Sequence, residues 1–493
     1  MAFLDFIVNW VNDPASERSL VLFGQAGTGK SSIAHEIARR FDKMHRLTSS
    51  FIYSRKEQPK PYHLFTTLAR DLSDRYPSFK TALGRAVKDN SSLRVGSRDY
   101  RTLFESLILE PLKDLHIVGP ILVVIDALDE SGDATGRIGL HTFLAKNLTR
   151  LPSNFRVLIT SRPEYDIESV LDGAPSVRTK YINDPKLAAN TRGDILAYLR
   201  ENLPLEFKTY GNALADRAEG LFQWAVVACE LILKPPEFFG FSKKKCMEHL
   251  LTLTEDPRGQ DPLDELYKEV LEGSFTQPES RLLFRSVVGR LIASIEPLTT
   301  RSLITLRQHA DDDGRESVVV VLRRLGSLLS HVNSSDANLS IFPLHTSFRN
   351  FLTDKAKSGG FYVSLRDAHR QLAHSCLGLL LNDLKFNICN LESSYLANKD
   401  VKDLNSRVDR YISPALLYAC RFWDDHFEHI DFETVLFGKL RTFFEKKFLF
   451  WLEALSLTSD LRLALRAIST LNVWLASGQG VSMIVESMRK ANN

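Results

Sequence analysis

The sequence predicts an α/β domain, a parallel sheet flanked by helices, followed by helical, winged-helix and second helical domains. Three observations carry that expectation. The apolar run Leu20-Val21-Leu22-Phe23 leads into a glycine-rich turn, Gly24-Gln25-Ala26-Gly27-Thr28-Gly29-Lys30-Ser31-Ser32, which opens a helix-patterned segment. Short continuous apolar runs then alternate with helical periodicity, the rhythm of strands buried on both faces of a parallel sheet. Beyond about Asn183 strand signals become rare and helical spacing takes over.

Taken in order, residues 1 to 18 read as a short amphipathic helix with Phe3, Phe6, Ile7, Trp10 and Val11 on one face, ending near Asn12-Asp13-Pro14 and packing beside the first strand. After the glycine-rich turn, Ile33, Ala34, Ile37, Ala38 and Phe41 keep helical spacing, and Ser50 to Ser54 resembles a second strand. Segments near 62 to 76 and 98 to 116 look helical, Ile121 to Ile125 is a buried strand, Leu140 to Leu148 a helix, and Phe155 to Thr160 another strand. Breaks fall at Lys234-Pro235-Pro236-Glu237, at 256 to 262 and at Lys357-Ser358-Gly359-Gly360. Leu329 to Val332 and Leu339 to Phe342 flank Asn333-Ser334-Ser335-Asp336 as a β-hairpin would, and helices plus a hairpin suggest a winged helix. From Ala368 onward the chain is helical, with aromatic anchors Tyr418, Phe422, Trp423, Trp451 and Trp474.

Composition narrows the function classes. A chain of 493 residues suggests about three domains. A formal charge of +3 with 25% charged residues gives no global basic field, so nucleic acid is not expected as the main partner and stays possible only locally. Lys243-Lys244-Lys245 and Asp311-Asp312-Asp313 read as solvated surface. The five cysteines, Cys229, Cys246, Cys376, Cys389 and Cys420, show no C-x-x-C spacing, which disfavours a zinc site or a disulfide framework and fits a reducing compartment. No apolar run approaches the roughly 18 residues of a membrane helix. A soluble, cytoplasmic protein without a membrane span is expected.

The chemistry begins at the turn, which fits G-x-x-x-x-G-K-[ST] in its required strand-to-helix context. Glycines let the backbone fold round a polyphosphate, and the helix N-terminus adds partial positive charge. Gly24, Ala26, Gly27, Thr28, Gly29, Lys30, Ser31 and Ser32 are therefore candidate nucleotide contacts, with Lys30 on the β- and γ-phosphates and the Ser31 hydroxyl on Mg²⁺. Ile121 to Ile125 ends in Asp126, a second candidate Mg²⁺ ligand at the carboxyl edge of the sheet. Asp129 and Glu130 follow. Either they are acids complementing a helix N-terminus, or one of them, Glu130 first, orients or deprotonates the attacking water. The strand 156 to 160 runs into Ser161-Arg162-Pro163, where Arg162 is either a γ-phosphate sensor or a surface arginine in a turn. His345, ahead of an amphipathic helix, reads from the residues alone as structural.

Gly24 to Ser32, Asp126-Ala127-Leu128-Asp129-Glu130, Thr160-Ser161-Arg162-Pro163 and Leu344-His345-Thr346-Ser347-Phe348 occur in that order, and together they resemble the fungal NACHT-domain proteins. These are signal-transducing STAND P-loop NTPases, akin to NOD-like receptors and to proteins with a nephrocystin-3-like N-terminal domain. Tyr418-Ala419-Cys420-Arg421-Phe422-Trp423 is similar to a helical segment such fungal proteins carry. The resemblance implies a nucleotide-binding domain over residues 1–183, a helical domain over 184–275, a winged-helix domain over 276–356 and a second helical domain over 357–493, closing over bound ADP. It gives His345 a role on the ADP β-phosphate and Arg162 that of a sensor. It implies ATP or ADP with Mg²⁺, slow hydrolysis serving a switch, homo-oligomers on activation, and effector or sensor proteins as partners in innate immunity or programmed cell death. Three departures stand out. Gly220-Leu221-Phe222-Gln223-Trp224-Ala225 lacks the proline of the Gly-x-Pro segment that many relatives place against adenine, Ala127 replaces a glycine common in animal members, a change expected to be minor, and neither an effector domain before Met1 nor a repeat sensor after Asn493 is recognisable.

Rival readings are an ATP-driven remodeller or nucleic-acid-associated ATPase, which shares the loop and the acidic strand end, and a non-catalytic scaffold that binds nucleotide for stability. A metabolite kinase is disfavoured by the long helical region after the sheet.

Overall fold

The computed structural model describes residues 2–53, 62–89, 99–113, 117, 119–132, 134–182, 185–235, 240, 242–253, 261–308, 315–331, 338–343, 345–393 and 395–477. The chain divides into two compact units, Met1–Cys229 with Leu250–Thr252, and Glu230–His249 with Leu253–Asn493.

In the first unit, helix α1 (Ala2–Asn12) precedes strand β1 (Ser19–Phe23), α2 (Lys30–Lys43), β2 (Leu47–Ile52), α3 (Tyr62–Arg75) and α4 (Pro77–Asp89). Next comes α5, which runs over Tyr100–Leu103, opens to π geometry over Phe104–Leu109 and closes with Glu110–Leu112. Then follow β3 (Ile121–Asp126), α6 (Ala134–Asn147), β4 (Phe155–Ser161), α7 (Tyr165–Leu171) and β5 (Val177–Tyr181), and finally α8 (Pro185–Asn202), α9 (Phe207–Arg217) and α10 (Phe222–Leu233). The last three helices group with the sheet, the unit ending inside α10 at Cys229.

All strand pairs are parallel, in the order β2-β3-β4-β1-β5. Two-residue alternation sorts the strand side chains to two faces. Val21, Phe23, Val123, Ile125, Val157 and Ile159 share a core with α3, α5, α6 and α7. Leu20, Leu22, Leu122, Val124 and Leu158 share the other with Ile7, Trp10 and Val11 of α1 and Ala34, Ile37 and Phe41 of α2. The first helix thus packs beside β1 as its apolar face requires. Parallel pairing sends every strand's carboxyl end to one edge. Because β4 lies between β1 and β3, the end of β4 separates the glycine-rich turn from Asp126.

Several elements depart from the sequence reading, among them helices α4 and α7, which it did not include. The second strand covers Leu47–Ile52, earlier in the chain than Ser50 to Ser54, and Ser54 itself lies outside the described residues. Strand β5 was not anticipated. It pairs with β1 from Ser19↔Val177 to Phe23↔Tyr181.

The second unit is helical. Its longer helices include Pro262–Ser274, Pro278–Ala293, Leu365–Asp383, Thr434–Lys446 and Leu463–Ser477. Of the expected hairpin, the described residues show an isolated antiparallel bridge, Leu329↔Pro343, while Ser340 bridges to Thr299 outside it; its turn, 333–336, is outside the described residues, as is Asp311-Asp312-Asp313. The five expected aromatic anchors are all buried. Trp423 meets Trp451 edge to face at 5.8 Å, and Phe427 meets Trp474 at 4.7 Å. Beside them runs a chain of buried polar groups. The Ile295 amide donates to Tyr418 Oη at 3.1 Å, Tyr418 Oη and His426 Nε2 are 3.0 Å apart, and His426 Nδ1 and His369 Nδ1 are 2.9 Å apart. Each imidazole contact pairs one donor with one acceptor, the direction being set by the tautomer of His426. Burial depresses both imidazoles, that of His369 to about 3, so both are neutral at ordinary pH.

Candidate phosphate-binding site

β1 ends at Phe23, and the Gly24 amide immediately donates to the Ser161 carbonyl of β4 at 3.2 Å. There the chain turns. Gly27 and Gly29 have φ of 82° and 87°, a left-handed backbone that L side chains resist. A Cβ on Gly24 would lie 2.6 Å from Thr28 Oγ1, the hydroxyl that closes the turn onto the Gln25 carbonyl at 2.9 Å. Gly27 and Thr28 are buried, Ala26 and Gly29 half-buried, and Ser31 and Ser32 exposed. No side chain caps the N-terminus of α2, so its first-turn amides are not claimed by a capping side chain.

Lys30 folds back over the loop, donating to the Gly24 carbonyl at 2.7 Å and the Gln25 carbonyl at 2.8 Å. Burial pushes its ammonium down to about 8; Asp129, Asp126 and Glu130 attract the charge, while Arg162 repels it. Four residues predicted from separate parts of the sequence therefore act electrostatically on one ammonium.

Asp126 and Asp129 are each 2% exposed and Glu130 is 7% exposed. The Thr160 hydroxyl donates to Asp126 Oδ1 and accepts the Ala127 amide at 3.0 Å, so β4 holds the carboxylate in place. Asp129 and Glu130 occupy a single 3₁₀ turn, Leu128–Glu130. The Asp129 carboxylate receives the Arg162 amide and the Arg162 Nε, both at 3.1 Å. Asp129 thus grips the arginine from two sides. Ala127 has φ 56° and ψ 49°, a left-handed conformation that disfavours an L residue by about 1–2 kcal/mol. Replacing glycine there is accordingly not conformationally neutral, contrary to the sequence expectation.

The segment without proline also finds its place. Gly220 ends the turn after α9 with φ 80°, and the Gln223 amide in the first turn of α10 donates to the Gly27 carbonyl at 3.0 Å.

His345 belongs to the second unit. Its Nδ1 caps the helix Thr346–Thr353, accepting the Ser347 amide at 3.1 Å and lying 2.7 Å from Ser347 Oγ, which in turn lies 2.7 Å from Tyr267 Oη. An acceptor role at Nδ1 fixes the proton of the neutral ring on Nε2. Leu344 lies outside the described residues.

Sequence reasoning missed three contributors: Thr160 as a partner of Asp126, Gln223, and Arg137, which is 4% exposed and donates to the Asp129 carbonyl at 2.6 Å. A polar residue closing an apolar strand was the available signal for Thr160; nothing local marks the other two.

These residues fit a nucleoside polyphosphate. The cradle excludes a Cβ at Gly24, its lysine is desolvated on loop carbonyls, and hydroxyl and carboxylate donors suited to Mg²⁺ stand on Ser31 and Asp126. Among the described residues no group of three or more His, Cys, Asp or Glu side chains could hold a metal ion unaided. The described cysteines are all free and buried, and no described helix is long and apolar enough to cross a membrane.

Residues 5–162 match the family described as Nephrocystin 3, N-terminal. Among curated proteins, the vegetative incompatibility protein HET-E-1 of Podospora anserina is 24% identical over 385 residues, covering 71% of this chain and 26% of that protein. The chain thus spans about a quarter of the length of that relative. Among solved structures, a STAND protein with a tetratricopeptide repeat sensor from Pyrococcus horikoshii is 15% identical, with TM-score 0.38, over 98% of this chain and 64% of that one. The Aeropyrum pernix ORC1 protein, solved in complex with DNA, is 15% identical, with TM-score 0.32, over 72% of this chain and 92% of that one. The family segment ends at Arg162 and so contains the glycine-rich turn, Asp126, Asp129, Glu130 and Arg162; this sequence evidence supports a relationship of the chain to the NACHT-like STAND P-loop NTPases.

Proposed function

We propose that the chain is a nucleotide-gated switch, held closed by ADP, opened by exchange for ATP so that it self-assembles, and reset by slow hydrolysis. The observation that carries this reading is one sheet edge that brings together the glycine-rich loop with Lys30 on its carbonyls, Asp126 at the end of β3 and Arg162 bound to Asp129 after β4. Lys30 would exchange its two loop carbonyls for phosphate oxygens, and the loop amides and the start of α2 would hold the diphosphate. Ser31 and Asp126 would hold Mg²⁺, which when bound neutralises phosphate charge and aligns the terminal group. Arg162, bound by Asp129, would sense a γ-phosphate, and Glu130 would orient the attacking water. His345, with its proton on Nε2, is proposed to donate to the ADP β-phosphate in the closed state. Similarity to a vegetative incompatibility protein supports a role in fungal non-self recognition or programmed cell death, with effector or sensor proteins as partners.

The energetics require several contributors. Shifting a population from about 1:99 to 99:1 takes about 5.5 kcal/mol of differential binding. One charged hydrogen bond supplies about 1.5–3 kcal/mol, so Arg162 and His345 must act with oligomer contacts. The test is mass spectrometry of nucleotide released from purified protein, alongside steady-state turnover. Retained ADP with turnover far slower than a motor's is expected, and His345→Ala should speed ADP exchange and raise spontaneous oligomer formation. An empty site with fast hydrolysis would overturn the switch.

A further inference from the structure

One helix face reaches under the acidic turn. Arg137 and His141 stand four residues apart on α6, hence on the same side of the helix. His141 Nε2 lies 3.1 Å from Ser131 Oγ at the end of the 3₁₀ turn. Arg137 Nη1 donates to the Asp129 carbonyl at 2.6 Å, while its Nε and Nη2 donate to the two Asp166 oxygens at 2.8 Å and 2.9 Å, and Nη2 also reaches Glu164. Glu164 and Asp166 closely follow Arg162, and the Glu164 amide donates to the Arg162 carbonyl at 2.9 Å.

We propose that Arg137 is a positioning residue for Arg162, holding at once the backbone of the residue that grips that arginine and the chain segment that follows it. The inference rests on the reading of Arg162 as a γ-phosphate sensor. Arg137 acts without touching nucleotide. Four N–H donations from one planar guanidinium fix the separation of two loops that are 33 residues apart in sequence, as counted from Asp129 to Arg162. Its positive charge also lies between carboxylates that would otherwise repel: Arg137 holds the Asp166 carboxyl below the usual range by hydrogen bonding and by attraction. Lysine keeps the charge but offers one nitrogen, so it cannot hold both loops. Arg137→Lys therefore separates geometry from charge.

The experiment measures affinity of the full chain for a fluorescent ADP and for the β,γ-imido analogue of ATP, with thermal melting recorded beside it. In Arg137→Lys and Arg137→Met, ADP affinity should stay within about twofold of wild type, whereas affinity for the ATP analogue should fall about 10-fold, the scale of one misplaced charged hydrogen bond. Asp166→Asn should move the analogue in the same direction by less. If Arg137→Met does not fold, Arg137→Lys and Asp166→Asn decide the matter. A purely structural Arg137 would lower the melting temperature and leave the ratio of the two affinities unchanged, and that result overturns the inference. Arg162→Ala is measured in parallel. If it lowers analogue affinity while the Arg137 and Asp166 variants do not, the positioning role fails and the sensor reading survives. If Arg162→Ala leaves the ratio unchanged, the sensor reading fails and the positioning role falls with it.

Discussion

Both units bury polar groups, yet they use them in opposite ways. In the second unit, Tyr418, His426 and His369 pass hydrogen bonds to one another inside the helical core. In the first, Lys30 is held only by carbonyls of its own loop, and buried carboxylates surround it without forming an ion pair with it among the described contacts. A polar network that closes on itself stabilises and specifies packing. One whose strongest charge rests on backbone carbonyls has the electrostatics to accept an anion. Burial alone therefore does not mark a site; the difference lies in whether the buried polar groups are neutral and bonded to one another or charged and resting on backbone carbonyls.

The contrast can be broken most forcefully at Lys30. Lys30→Ala should weaken ADP binding about 100-fold or more, the scale of losing two charged hydrogen bonds, as read by calorimetric titration. Unchanged ADP content on purification would refute the phosphate-loop assignment. Tyr418→Phe probes the closed network. It leaves a buried imidazole and the Ile295 amide without their partner, at a cost of about 1–3 kcal/mol, and should lower the denaturation midpoint without changing nucleotide affinity.

Smaller effects sharpen the comparison. With its ammonium depressed to about 8, Lys30 is charged below that pH and neutral above it in the free protein. ADP affinity should be flat with respect to Lys30 below about pH 8 and fall as pH rises, by up to about tenfold per unit, because binding must then take up a proton. An affinity independent of pH from 7 to 9.5 would contradict this. Ala127→Gly should stabilise the protein by up to about 1 kcal/mol, the relief of a left-handed alanine less glycine's entropy; thermal melting checks the sign.

Much of the first unit was legible because its signals are local. A continuous apolar run followed by glycines, lysine and serine specifies β1, the loop and α2 within about 25 residues, and Asp126 ends a run that needs no context. Strand β5 was not legible. Val177-Arg178-Thr179-Lys180-Tyr181 is a half-buried edge strand whose polar residues break the apolar run, and only its pairing with β1 defines it. The start of β2 was obscured in the same way, since Thr48 and Ser49 are polar yet buried, Ser49 by bonding to Asp71 at 2.6 Å. Helix α4 was missed because Phe79 is its one fully buried side chain.

At the site, residues that carry a motif could be read, and those that support them could not. Arg137 has partners at 129, 164 and 166, a set that no periodicity predicts because two separate segments must first converge on α6. Asp129 and Glu130 were inseparable in sequence; the contacts of the Asp129 carboxylate with Arg162 appear only in the fold. His345 illustrates the opposite case. The residue pattern alone favoured a structural histidine, and the ring caps the helix Thr346–Thr353.

The bond from the Gln223 amide to the Gly27 carbonyl joins main chain to main chain. Evolution can therefore rewrite every side chain in that stretch without severing the mooring, except by introducing an imino acid, and residue 223 sits where a helix accepts one with little strain. A single codon there would unhitch the helical extension from the glycine hinge while leaving both folded. Drift in the side chains of this segment thus leaves the main-chain linkage to the loop in place.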